Sequence, residues 1–241
     1  MKTIEILNIP FAKLTQSETM EILEIFLSKQ ENHIITTPNP EGVMQARRNA
    51  DFAKALKTAD LSLADGVGII IASYFTRQKL PERVRGVDTT FALFENLNKK
   101  NVPFTAYFLG GEEGVAEKAK ENMQKKFPLL NVVGTHHGFF KNDKEIIDEI
   151  NKLSPDILLV CTGMPRAEIW ASKNRSLNTR LTLCVGGTIN IMAGKAKLAP
   201  SFMRKLGLEW LWRLIREPKR FVRMLDLPRF IFAVFLNMFY S

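Results

Sequence analysis

Between about residue 30 and residue 190, short apolar runs alternate with stretches whose apolar positions recur every three or four residues. The runs read as buried strands and the spaced stretches as amphipathic helices. Strands are predicted at His33–Thr37, Leu61–Ala64, Phe104–Leu109, Asn131–Gly134, Ile157–Cys161 and Leu181–Val185, with helical patterns at Glu41–Leu56, Gly114–Lys126 and Lys144–Leu153. Strand and helix in turn is the rhythm of βαβ units. The predicted fold is α/β, a mainly parallel sheet with helices on both faces. Open sheets of that class bind ligands outside the carboxyl ends of their strands, and the polar residues of interest fall there.

The pattern changes near residue 196. Arg213, Arg216, Arg220 and Arg223 recur at three and four residues and would share one helical face opposite Leu211, Leu214 and Phe221. Proline inside a helix removes a hydrogen bond and clashes with the preceding turn. Pro218 therefore predicts two short helices, roughly 208 to 216 and 219 to 225. The run from Phe230 to Tyr240 is apolar but well short of the ~20 residues that span a bilayer, so it is expected to lie in a membrane interface and not to cross it. The chain divides into a core over residues 1–195 and a C-terminal helical appendage over 196–241.

With 241 residues, 46% of them hydrophobic, the chain can bury a sizeable core. Its net charge is +9, and from Phe202 onward eight cations against Glu209, Glu217 and Asp226 leave +5 in the final sixth. Charge localised in this way attracts anionic lipid or phosphate. A pI near 9.6 and the interleaved Trp210, Trp212 and Phe221 also suit a nucleic-acid backbone. The apolar finish fits lipid better, so no nucleic acid is expected. Such a tail can drive homo-oligomer formation or cover its own site, and the pattern admits both. Met1 to Leu27 mixes Glu5, Lys13, Glu18, Glu21 and Glu24 among apolar residues and carries no charged-then-apolar leader. A cytoplasmic protein attached peripherally to the inner membrane face is expected. Cys161 and Cys184 sit in apolar runs and read as reduced core residues.

Four loops carry candidate chemistry. Pro38 and Pro40 stiffen the backbone around Asn39, so Thr37 and Asn39 either contact a sugar or cap the helix that follows. Asp65, in Ala64-Asp65-Gly66-Val67-Gly68, is the best general-base candidate, its alternative being an N-cap. Gly110-Gly111 and Gly186-Gly187 end strands and let backbone amides approach a diphosphate, or are ordinary tight turns. Neither pair belongs to a dinucleotide or phosphate-loop fingerprint. The chain has no Asp-x-Asp pair, the usual clamp for a divalent ion on a nucleotide diphosphate. Arginine can neutralise phosphate bidentately, and Arg83 and Arg85 join the tail arginines as candidates. For Arg83 the alternative is a salt bridge to Glu82 or Asp88.

Taken in order, Thr37-Pro38-Asn39-Pro40-Glu41, Ala64-Asp65-Gly66-Val67-Gly68, Pro81-Glu82-Arg83-Val84-Arg85-Gly86-Val87-Asp88, Phe108-Leu109-Gly110-Gly111, Gly163-Met164-Pro165-Arg166, Val185-Gly186-Gly187-Thr188 and Leu208-Glu209-Trp210-Leu211-Trp212-Arg213-Leu214 resemble the bacterial WecG/TagA/CpsF glycosyltransferase family over essentially the whole chain. The resemblance implies a Rossmann-like core and a metal-independent, inverting transferase without cofactor. It implies UDP-N-acetylmannosamine, or its uronic acid, as donor and polyprenyl-diphosphate-linked GlcNAc as acceptor. It further implies Asp65 as base, Thr37, Asn39, Ala167, Asn190 and the paired glycines at the substrate, and Arg83, Arg213, Arg220 and Arg223 on diphosphate. Three positions depart from the family pattern. Ala167 replaces a glutamine, Asn190 a common aspartate and Leu198 a frequent arginine.

Overall fold

A hairpin precedes the region in which the apolar runs predict strands. In the computed structural model, which describes residues 1–76, 79–218 and 221–240, strands β1 (Thr3–Ile6) and β2 (Ile9–Ala12) pair antiparallel. Their turn residues Leu7 and Asn8 both take positive φ, 50° and 64°, the sense of twist that suits a two-residue hairpin. Helix α1 (Gln16–Leu27) follows, started by a capping box between Thr15 and Glu18. The chain continues through β3 (His33–Thr36), α2 (Pro40–Ala46), α3 (Ala50–Thr58), β4 (Leu61–Ser62), α4 (Val67–Phe75) and α5 (Gly86–Lys99). Then come β5 (Phe104–Gly110), α6 (Val115–Lys126), β6 (Leu130–His136), α7 (Lys144–Leu153), β7 (Ile157–Cys161), α8 (Arg166–Lys173), β8 (Leu181–Cys184) and α9 (Thr188–Met192). The tail forms α10 (Ser201–Lys205), α11 (Glu209–Arg216), α12 (Phe221–Met224) and α13 (Asp226–Tyr240).

The single helix expected over Glu41–Leu56 is two helices. Asn49 takes extended backbone and accepts a hydrogen bond from the Phe52 amide at 3.0 Å, which caps α3 and ends the preceding turn.

The main sheet is parallel throughout, in the order β4-β3-β8-β7-β5-β6. Side chains alternate across it. Ile35, Leu61, Ala106, Phe108, Ile157, Leu159, Leu181 and Leu183 face the layer of α1, α5, α6 and α9. Ile34, Tyr107, Leu109, Leu158 and Val160 face α7 and α8. Both faces are covered, which is why the strands read as continuous apolar runs.

A third apolar cluster joins the hairpin (Ile4, Ile6, Ile9, Phe11) to α2, α3, α4 and α13. Phe230 of α13 is 1% exposed, with Ala233 and Val234 also buried. Part of the apolar finish is thus core, while Ile231, Phe232, Phe235 and Leu236 remain exposed on the other side of the helix. Arg48 anchors the start of α13 through two bonds to Asp226, 3.0 and 2.5 Å. Burial opposes ionisation of Asp226, but the bonds from Arg48 and Arg229 outweigh it and hold the carboxyl below its ordinary range. Among the described residues, no helix is long and apolar enough to cross a membrane.

Candidate active site

Beyond Ser62 the chain leaves β4 and turns at Gly66, whose φ of 109° is a conformation that glycine adopts without strain. Gly66 is the N-cap of α4 and supplies no side chain to it. The Asp65 carboxylate is not consumed as that cap. Its Oδ2 accepts instead from the Gly86 amide at 3.3 Å, at the first residue of α5, and a helix N-terminus favours the ionised form. Gly86 is required there, because a Cβ would stand 2.9 Å from Thr37 Oγ1.

Asp65 lies on the wall of a cleft of about 900 Å3 above the carboxyl ends of the strands, closed on one side by residues of α10, α11 and α12. Among the described residues, nine lysine and arginine side chains line it against five carboxylates. Burial pushes the Asp65 carboxyl above its ordinary pKa, while Arg213, the Gly86 amide, Arg85 and Arg83 pull it back. The tail arginine with the strongest effect is therefore the one that α11 carries over the base.

Several of the other cations are held in place. Glu209, at the start of α11, accepts from Arg83 at 2.8 Å and from Arg85 at 2.7 Å, and Arg83 also donates to the Arg204 carbonyl at 2.9 Å. Arg85 has a second partner in Asp88. Arg223 lies 3.8 Å from Glu41. Arg216 stacks over Trp212 at 4.9 Å and Arg166 over Phe140 at 4.5 Å, which fixes planar cations at the rim without spending their charge. Among the described residues, no three His, Cys, Asp or Glu side chains converge as metal ligands would.

Of the residues singled out from sequence, Asn39, Asp65, Arg83, Gly111, Gly186, Gly187, Asn190, Arg213 and Arg223 line the cleft. Asn39 also caps α2, its Oδ1 accepting from the Gly42 amide at 2.9 Å, so capping and cleft exposure coexist. Three others are elsewhere. Thr37 donates to the Cys184 carbonyl at 3.1 Å and stitches β3 to β8. Gly110 packs against the Cys161 carbonyl, where a Cβ would come within 2.5 Å, so strand packing alone requires a glycine. Ala167 is 1% exposed in the apolar layer with Trp170 and Tyr107 and does not reach the cleft. Arg220 lies outside the described residues. The alternative partners weighed for Arg83, Glu82 and Asp88, give way to Glu209, and Asp88 pairs with Arg85.

Several residues were not legible as site groups. Glu209 stands among aromatic and basic neighbours and gave no sign of reaching Arg83. Thr162, just past β7, lines the cleft with its Oγ1 buried and without a hydrogen-bond partner among the described residues. Glu168, in the first turn of α8, is buried with Oε2 unpartnered among the described residues, and burial raises its pKa to about 7. Its place beside Pro165-Arg166 was the one available signal.

The model of the family described as "Glycosyl transferase WecG/TagA/CpsF family" matches residues 4–241. The chain is similar to proteins named N-acetylglucosaminyldiphosphoundecaprenol N-acetyl-beta-D-mannosaminyltransferase. The one from Bacillus spizizenii is 30% identical over 210 residues, 87% of this chain and 81% of the relative. Those from Bacillus subtilis and Staphylococcus aureus are each 28% identical, over 97% and 96% of this chain and 91% of each relative.

Proposed function

The chain belongs to the WecG/TagA/CpsF family of glycosyl transferases, and from that premise we propose that it moves N-acetylmannosamine from UDP-N-acetylmannosamine to GlcNAc carried on undecaprenyl diphosphate. The names of the relatives support this acceptor and this sugar. The observation that carries the chemistry is the position of Asp65, a partly buried carboxylate at a strand end, inside a cationic cleft and under Arg213.

In the proposed reaction the Asp65 carboxylate takes the proton of the acceptor's 4-hydroxyl. The oxygen attacks the anomeric carbon, forming the new C–O bond as the bond to the β-phosphate oxygen breaks. The electron pair leaves with UDP, and displacement from the opposite face converts an α-linked donor into a β-linked product. Charge develops on the departing diphosphate. Arg213 and Arg223 are among the tail cations that line the cleft, and fixed cations aimed at developing charge stabilise a transition state more than its ground state. Raised basicity suits Asp65 to this role, since a carboxylate above its ordinary pKa accepts a proton more readily.

The exposed ridge of α13, with Ile231 and Phe232 outward, together with the tail's positive charge, supports peripheral attachment to the inner face of the plasma membrane, where a polyprenyl acceptor resides. The proposal makes the transfer independent of metal and of cofactor. Acceptor-dependent UDP release that persists in EDTA is the expected result, and release that EDTA abolishes would overturn the metal-free mechanism.

A further inference from the structure

Glu209 has an arrangement that simple tail docking does not require. Its two carboxylate oxygens are divided between two arginines of the segment before α5, Oε2 with Arg83 and Oε1 with Arg85. All three side chains are less than one-fifth exposed, at 19%, 18% and 13% respectively. Arg85 is the N-cap of α5, and the next residue, Gly86, supplies the amide that bonds Asp65. A short path therefore runs from the tail to the base: Glu209 fixes Arg85, Arg85 precedes Gly86, and Gly86 holds Asp65.

We propose that Glu209 is a positioning residue for sugar transfer, which sets the orientation and the basicity of Asp65 through Arg85 and Gly86 and withholds Arg83 and Arg85 from the diphosphate. This deepens the transferase reading and rests on it. The charged groups that act on Asp65 are Arg213 on α11 and Arg85 and Arg83 before α5; Arg85 also pairs with Asp88 on α5, and the cleft wall further carries Glu209 on α11, Arg204 on α10, and Glu41 on α2 with its partner Arg223 on α12. Glu209 is the carboxylate that neutralises Arg83 and Arg85 together. Removing its charge leaves Arg83 without its carboxylate partner and Arg85 with Asp88 alone, which strengthens their pull on Asp65 and favours the ionised base. The same change releases one side of each guanidinium toward phosphate, although Arg85 keeps Asp88 and Arg83 keeps the Arg204 carbonyl.

Glu209→Gln is the test, and it gives a combination that loss of tail docking alone does not. Turnover is expected to fall about ten- to hundredfold through misplacement of the base. UDP binding, measured by calorimetry, should tighten. The Asp65 carboxyl titration, followed by 13C NMR with Asp65→Asn identifying the resonance, should move to lower pH by at least ~0.5 unit. Glu209→Asp keeps the charge but shortens the reach by one methylene, so it should retain the wild-type titration with reduced turnover. Weaker UDP binding and an unmoved or raised Asp65 titration in Glu209→Gln would reduce Glu209 to a tail anchor and overturn the proposal. So would undiminished turnover in Glu209→Asp. If the wild-type protein releases no UDP with the acceptor, the transferase reading fails, while titration and UDP binding still decide what Glu209 does.

Discussion

Phe230→Ala should uncouple the tail from the core. Two of the contacts that anchor α13 differ in magnitude. The Arg48–Asp226 pair has a half-exposed arginine, at 51%, and pairs of that kind contribute about 0–1 kcal/mol. Phe230 is 1% exposed among Ile4, Val43 and Ile69, and approaches the Cβ position of Gly68 to within 3.9 Å. Truncating a buried phenylalanine costs ~3–5 kcal/mol. If that loss falls on docking, the ratio of docked to released tail drops about a hundred- to a few thousand-fold, at a factor of ten for each ~1.4 kcal/mol. Hydrogen exchange reads this directly. Amides of α13 should lose protection while those of β7, buried on both faces, keep theirs. Sugar transfer should fall in parallel, because α11 and α12 bring Arg213 and Arg223 to the cleft. Unchanged protection of α13, or loss in step with β7, would refute the reasoning.

Two further outcomes concern α8. Glu168 has a folded-state pKa of about 7 against an ordinary 4.5, so the folded state binds its proton more tightly than the unfolded chain does. Its contribution to stability is full below the unfolded pKa and is lost as pH rises through about 7. Glu168→Gln should flatten that part of the stability profile in urea titrations run from pH 4 to 8, and an unaltered slope would exclude Glu168 as its source. Ala167→Gln should lower the thermal midpoint, since a larger polar side chain must enter a filled apolar layer at a cost of ~1–3 kcal/mol. A raised rate without loss of stability would instead return position 167 to the cleft.

The sheet was legible in the sequence because both of its faces are covered. Ile157–Cys161 reads as one apolar run, and all five residues are buried. What escaped was set by short or distant signals. The hairpin strands have four residues each, too few for alternation to stand out beside Glu18, Glu21 and Glu24. The break between α2 and α3 rests on a single cap, Asn49. The tail helices on either side of Pro218 were legible from spacing, but Phe230–Tyr240 looked alike along its length. The positions of the hairpin, α2 and α4 decide that Phe230 faces inward and Ile231 outward. The site divides in the same way. Asp65 and Arg213 stand at the cleft where strand-end and tail reasoning put them, and Asn190 where the family resemblance does, whereas the role of Glu209 depends on a pairing across 126 residues with Arg83 that no local pattern encodes. Ala167 misled because neighbouring positions in a first helical turn point in different directions, and α8 turns this one into the core.

The central claim is that Asp65 deprotonates the acceptor inside a cationic cleft. Its most direct test is acceptor-dependent UDP release by Asp65→Asn beside the wild-type protein, in EDTA, with UDP-N-acetylmannosamine and lipid-diphosphate GlcNAc. Asparagine keeps the shape and cannot accept the proton, so the rate should fall about 10²–10⁴-fold while UDP binding persists. A variant that releases UDP at the wild-type rate would contradict the assignment of Asp65 as the base.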